Sequence, residues 1–282
     1  MRFDYTSFVP LKRRNGFMNI FLREMKASRK SLIIWCLSVI MMVYTSMIKF
    51  KSYQSSGQSI NDLLGDMPNS LKAVLGFGSF DVSKPIGFYG MLFLYLLLMT
   101  TIHAVMLGAG IIAKEERDKT TEFLMTRPVS RYSVITSKLL AALFNVIILN
   151  VVTLASSIAF MNSYSGGEAV SGDIIKLMIG MFITQVLFMS IGTGFAAINK
   201  NSKASASLAA AILMATFVLA KIIDVNDRLE SLKYLTPFKY FEAEGLLLGN
   251  GFEPAFIIIS VILIAALSAL TYVFYNKRDL SI

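Results

Sequence analysis

The chain has 282 residues, of which 55% are hydrophobic and 16% charged, with 27 basic against 18 acidic side chains and a net charge of +9. A soluble domain carries about a quarter charged residues, so this composition excludes an ordinary aqueous domain, and its wealth of apolar side chains excludes a disordered one. Cys36 is the only cysteine, which excludes an intrachain disulfide scaffold.

Six stretches contain no Asp, Glu, Lys or Arg: residues 31–48, 85–113, 139–167, 177–199, 204–220 and 254–276. A helix rising ~1.5 Å per residue needs roughly 20 residues to cross a hydrocarbon layer of ~30 Å, and each stretch reaches or approaches that length. A charge at mid-bilayer costs about 2.5–3.5 kcal/mol on insertion scales, which keeps such windows empty. In lipid the backbone must satisfy its own hydrogen bonds, so spans of this length are helices. The predicted fold is an all-α polytopic membrane protein. It has six transmembrane helices in a single domain over residues 1–282, an N-terminal interfacial helix and short extracellular amphipathic helices.

In chain order, residues 1–30 form a basic leader. It is too long, and the apolar run after it too extended, for a cleaved signal peptide. Phe17, Ile20, Phe21 and Met25 recur at helical spacing among Arg14, Arg23, Lys26 and Lys30. That pattern predicts an amphipathic helix lying flat at the membrane interface before turning into the first span. Residues 50–84 carry a second such pattern: Ser59 and Asp62 resemble a capping box, and Ile60, Leu63, Leu64 and Met67 make one face. After Pro68, either Asn69 or Ser70 is expected to cap a further turn bearing Leu71, Val74 and Leu75. Residues 114–138 form the most charged loop. Glu115, Glu116 and Asp118 come first and Arg127 and Arg131 later, with Thr121-Glu122-Phe123-Leu124-Met125 between them as a short helix stopped before Pro128. Phe123, Leu124 and Met125 form an apolar knob rimmed by charge, the composition of a docking site. A helix lying on the membrane is the alternative. Residues 161–173 read as a plain Gly/Ser-rich turn. Residues 221–253 place Tyr240 and Phe241 as interfacial aromatics after Thr236-Pro237-Phe238.

Six spans put both termini on one side, which holds 18 of the 27 basic residues and nets +11, against −2 on the other side. Cytoplasmic loops favour Lys and Arg, so both termini are expected inside. Topology and anionic membrane lipids account for the basic excess, and no nucleic-acid partner is expected.

No G-x-x-x-x-G-K-[ST] or H-E-x-x-H occurs; Gly76-Phe77-Gly78 and Gly192-Thr193-Gly194 are fragments without the rest of a nucleotide fingerprint. One His and one Cys do not make a zinc site, so neither a metal nor a catalytic residue is expected in this chain. His103 lies inside a span, either facing a cavity or hydrogen-bonded as a neutral imidazole to another helix. Asn145, Asn150 and Gln185 carry the same two readings, a cavity lining or interhelical glue. Ser207, Ala211 and Ala215 recur every fourth residue and permit close helix approach, within the subunit or between subunits; Gly192 and Ala196 share that spacing.

The loop Lys114-Glu115-Glu116, Thr121-Glu122-Phe123-Leu124-Met125, Pro128-Val129-Ser130-Arg131 and Lys138 resembles the cytosolic K/R-E-E…T-x-E-x-L-L…P-V-S-R…K pattern of type-2 ABC exporter permeases. Met67-Pro68-Asn69-Ser70-Leu71, Leu235-Thr236-Pro237-Phe238-Lys239-Tyr240 and Arg278-Asp279-Leu280 are similar to further segments of that family, so the resemblance runs from leader to tail. One departure is Lys119-Thr120, where many relatives place Gly before the Thr-x-Glu. The resemblance implies a bacterial cell-membrane permease, paired with a second permease subunit, identical or not, and with separate ATP-binding subunits that carry Mg-ATP. It implies that the leader is a connecting helix and that Thr121–Met125 is the coupling helix seated on the ATPase, with Glu115, Glu116, Arg127 and Arg131 around it. The expected cargo is an amphipathic peptide, a lipid-like compound or a drug. The alternatives are a membrane enzyme using His103 as base, and a non-transporting sensor or immunity protein that binds ligand at its outer segments.

Overall fold

The computed structural model describes residues 16–55, 65, 67–117, 130–164, 170–199, 201–249 and 251–277. Six long apolar helices dominate: α1 (Gly16–Ser55), α3 (Pro85–Arg117), α4 (Arg131–Tyr164), α5 (Ser171–Ile198), α6 (Ser202–Val225) and α9 (Pro254–Lys277). Shorter elements are α2 (Asn69–Val74), a 3-10 helix (Asp227–Leu235), α7 (Pro237–Tyr240) and α8 (Ala243–Leu247). Among the described residues there is no strand.

The bundle is built on α3 and α5. Of their most apolar windows, 67% and 61% are buried, against 17–33% for the other four long helices. Glycine permits the close crossing of this pair. A Cβ on Gly108 would stand 2.3 Å from the Met189 carbonyl oxygen, and one on Gly192 would stand 2.4 Å from that of Val105. Lipid supplies no hydrophobic drive for helix association, so backbone approach of this kind and the dispersion contacts it opens hold the pair. Buried hydroxyls close onto their own helices, as Thr100 donates to the Leu96 carbonyl and Thr184 to that of Gly180. Tyr89 donates to Ser157 Oγ at 2.6 Å, joining α3 to α4.

α1 differs from its sequence reading. It runs unbroken for 40 residues, about 60 Å at ~1.5 Å per residue, with no turn between leader and span. No Gly or Pro follows Gly16 within it, so nothing ends the first helical segment. Its predicted apolar face turns toward protein. Ile20 is buried, Phe21 meets the ring edge of Phe144 at 6.0 Å, and Ser137 on α4 donates to the Phe17 carbonyl. The face packs on protein because α4 offers it both an apolar partner and a hydrogen-bond donor.

Two further expectations change. Asn69 and Ser70 do not cap α2; they lie inside it, and Pro68 precedes it with its carbonyl accepting from Leu71 and Lys72. Proline's fixed φ gives the entry geometry, so no side-chain cap forms. Phe238, Tyr240 and Phe241 are not exposed on the outer surface of the bundle, as a belt facing headgroups requires. They are buried, with Phe238 against Phe188 and Phe217, and Tyr240 stacked on Phe256 at 4.8 Å. The 3-10 helix and α7–α8 thus fold back into the mouth between α5, α6 and α9. The proposed first turn of the 50–84 segment, built on Ser59 to Leu64, lies outside the described residues.

Candidate functional site

Polar groups concentrate at the two ends of the bundle. At the end from which residues 118–129 emerge, the roots of that segment, on α3 and α4, are tied to each other and to α1 and α9. Lys114, near the end of α3, pairs with Glu24 of α1 at 3.2 Å, and Glu24 is only 3% exposed. Seven residues into α4, Lys138 is fully buried and its Nζ donates to the Ile111 carbonyl of α3 at 2.6 Å. Arg131, the first residue of α4, donates to the Asn276 carbonyl at the end of α9 at 3.0 Å. A cation at a helix C-terminus satisfies orphan carbonyls and complements the helix dipole. Thr136 and Tyr272 share a 2.8 Å hydrogen bond, and Tyr132 stacks on Tyr272. Any displacement of the segment's roots is therefore felt by α1, α3, α4 and α9 together.

Of the residues singled out in this loop, Arg131 takes part in that collar. Glu115 and Glu116 end α3, and their side chains lie outside the description. Thr121, Glu122, Phe123, Leu124, Met125 and Arg127 lie outside the described residues. Sequence reasoning missed Glu24, yet a signal was present. It shares a helical face with Phe17, Ile20 and Phe21, an acid on the apolar side of a basic helix.

The opposite end holds a cavity of about 560 Å3 between the turn after α2, α3, the end of α6, the 3-10 helix and α7–α8. The turn is made by Gly76 and Gly78 at φ +81° and +47°, conformations that favour glycine, so this G-x-G is backbone geometry. Lys221 and Lys239 both reach Asp224, Lys239 also reaches Glu242, and Lys233 pairs with Glu230. Burial raises the Glu242 carboxyl above the usual carboxylate range, although Lys239 opposes the shift. Burial also disfavours the Lys239 ammonium, but Glu242 and Asp224 outweigh it and raise its pKa. Glu244 accepts from the Ser79 hydroxyl, linking α8 to the turn after α2.

His103, Asn145, Asn150 and Gln185 do not line this cavity. His103 is buried with its ring 5.4 Å from that of Trp35, and its Nδ1 has no hydrogen-bond partner among the described residues. Asn145 is held by Ser28 and Met25 of α1 and by the Ala141 carbonyl. Asn150 donates to the Met178 carbonyl and lies 3.4 Å from Gln185 Oε1, bridging α4 and α5. Asn145 therefore joins one helix pair, and Asn150 with Gln185 joins another. Ser207, Ala211 and Ala215 lie together on an exposed face of α6, whereas Gly192 and Ala196 pack inside the subunit.

A search of curated proteins finds no match to the chain. A family model described as ABC-2 family transporter protein matches residues 18–280. That match embraces every long helix and both polar ends, and this multi-pass chain therefore belongs to the ABC-2 family of transporter membrane subunits.

Proposed function

We propose that the chain is the permease of an exporter, and that the segment around Phe123 couples it to ATP hydrolysis on a separate subunit. The observation that carries this reading is the collar at the segment's roots, Glu24–Lys114 with the Arg131 and Lys138 contacts. A force on a lone surface loop would be lost in the loop. Tied to four helices, the same force biases one packing of the bundle against another.

In this reading the collar faces the cytoplasm, as do both termini, in a bacterial cell membrane. Mg-ATP binds the partner ATPases, whose closure pushes Thr121–Met125, with Glu115, Glu116 and Arg127 as the polar rim. A second permease subunit, identical or homologous, completes the path, and the exposed Ser207–Ala211–Ala215 face of α6 is the place where small side chains allow it to approach. The cargo is amphipathic: a peptide, a lipid-like compound or a drug. Cavity-facing roles for His103, Asn145, Asn150 and Gln185 belong to a second packing of the helices.

The test is Phe123→Ala and Glu122→Ala in the chain co-expressed with its ATPase. Truncating a desolvated aromatic anchor removes about 2 kcal/mol, so co-purification is expected to weaken roughly thirtyfold and cargo-stimulated hydrolysis to fall with it. Unchanged assembly and stimulation in both variants would overturn the coupling role.

A further inference from the structure

The cavity opposite the collar carries more charge than its ion pairs consume. Asp224 and Glu242 are answered by Lys221 and Lys239, Glu230 is answered by Lys233, and Glu253 acts on Lys233 from further away. Three lining groups therefore have no ion pair among the described residues, Glu253, Glu244 and Lys72, and of these only Glu253 has that longer-range partner in Lys233. Glu244 has only the neutral Ser79 hydroxyl, and Lys72 has no ion pair among the described residues. They are opposite in sign, line one void and do not bridge to each other, so a single ligand can answer both. Phe80 and Leu94 give part of the same lining an apolar character. The volume, about 560 Å3, falls within the range of small-molecule pockets, roughly 300–1,000 Å3.

We propose that this cavity is a binding site for a zwitterionic amphiphile, whose ammonium meets Glu244, whose anionic group meets Lys72, and whose apolar body rests on Phe80 and Leu94. Charge-assisted hydrogen bonds in a partly enclosed wall are stronger than neutral ones, and two of opposite sign select a ligand carrying both charges over one carrying either. The site lies within one subunit. It does not depend on the loop around Phe123, and its occupancy is measurable without the ATPase.

The walls offer a way to fill the cavity without disturbing its charges. A Cβ on Gly245 would meet nothing nearer than Glu242 Cγ at 3.9 Å, so Gly245→Leu extends into the void.

The experiment titrates the purified full chain, in an uncharged maltoside detergent with empty-micelle subtraction, with three probes sharing one fluorophore. These are Nε-dansyl-lysine (zwitterion), dansyl-cadaverine (cation) and dansyl-glycine (anion). Dansyl-lysine is expected to bind saturably and about tenfold or more tighter than either single-charge probe, as one charge-assisted contact of ~1.4 kcal/mol requires. Glu244→Gln should lower it to the level of dansyl-glycine, Lys72→Gln to the level of dansyl-cadaverine, and Gly245→Leu should weaken all three. Equal affinities for the three probes, or dansyl-lysine binding untouched by both charge variants, would overturn the assignment. So would a preference for dansyl-cadaverine over dansyl-lysine. If a variant fails to fold, the order of the three probes on the native chain decides. Loss of coupling in the Phe123 variant with dansyl-lysine binding intact would separate this site from the proposed transport cycle.

Discussion

The two ends of the bundle carry similar chemistry to different effect. At the collar, the pair between Glu24 and Lys114 joins residues 90 positions apart, and Arg131 reaches across 145 positions to Asn276. At the cavity, Lys221–Asp224, Lys233–Glu230 and Lys239–Glu242 are all three residues apart, and only Lys239–Asp224 reaches further. Long-range pairs fix one helix against another. Local pairs set the charge of a wall, so one end is cross-tied between long helices while the other, joined across by Lys239–Asp224 and Ser79–Glu244, keeps an open volume.

The largest expected effect comes from the crossing that supports both ends. Gly108→Leu drives its side chain into the Met189 carbonyl region, where no flexible group can yield. A loss of about 3 kcal/mol or more is expected, read as a lower unfolding temperature in detergent, with the collar and the cavity lost together. Wild-type stability for this variant would remove α3–α5 from its central place.

Next comes the collar itself. Glu24→Ala leaves a half-buried Lys114 without its carboxylate and should cost about 1–3 kcal/mol. Adding Lys114→Ala should recover part of that loss. A double-mutant cycle with no coupling energy would mean that the pair does not hold α1 to α3.

The cavity end should respond to pH instead. The raised Glu242 and Lys239 both hold their protons more firmly when folded. Stability therefore falls as pH rises between the ordinary carboxylate value and the higher folded value of Glu242, and falls again as pH passes from the ordinary lysine value through the folded value of Lys239. Thermal unfolding followed from acid to neutral pH should show the first decline, and Glu242→Gln should flatten it. An unaltered slope in that variant would assign the decline to another group. The smallest effect belongs to Lys176→Ala. Its pair with Asp173 is 52% and 40% exposed, and its loss should shift stability by no more than about 0.5 kcal/mol.

The spans were legible because lipid punishes every charge, and each of the six uncharged stretches has a long helix through it. The unbroken α1 was less legible. An apolar stripe at helical spacing looks the same whether it faces lipid or α4, and only the position of Phe144 and Ser137 makes the difference. The aromatic segment at Phe238 to Phe241 misled for the same reason, since rings that suit a membrane interface also suit a gap between helices.

By itself the sequence determined the six helices, through charge-free length, and the family, through the loop and its flanks; composition acts residue by residue along the chain and needs no partner. The tertiary structure decided which polar groups meet. Glu24 and Lys114 acquire a relation only when α1 and α3 are packed, and the matched and unmatched charges of the cavity can be told apart only when α2, α6 and α8 enclose one volume. An ion pair is a property of distance, and distances across a bundle are set by packing.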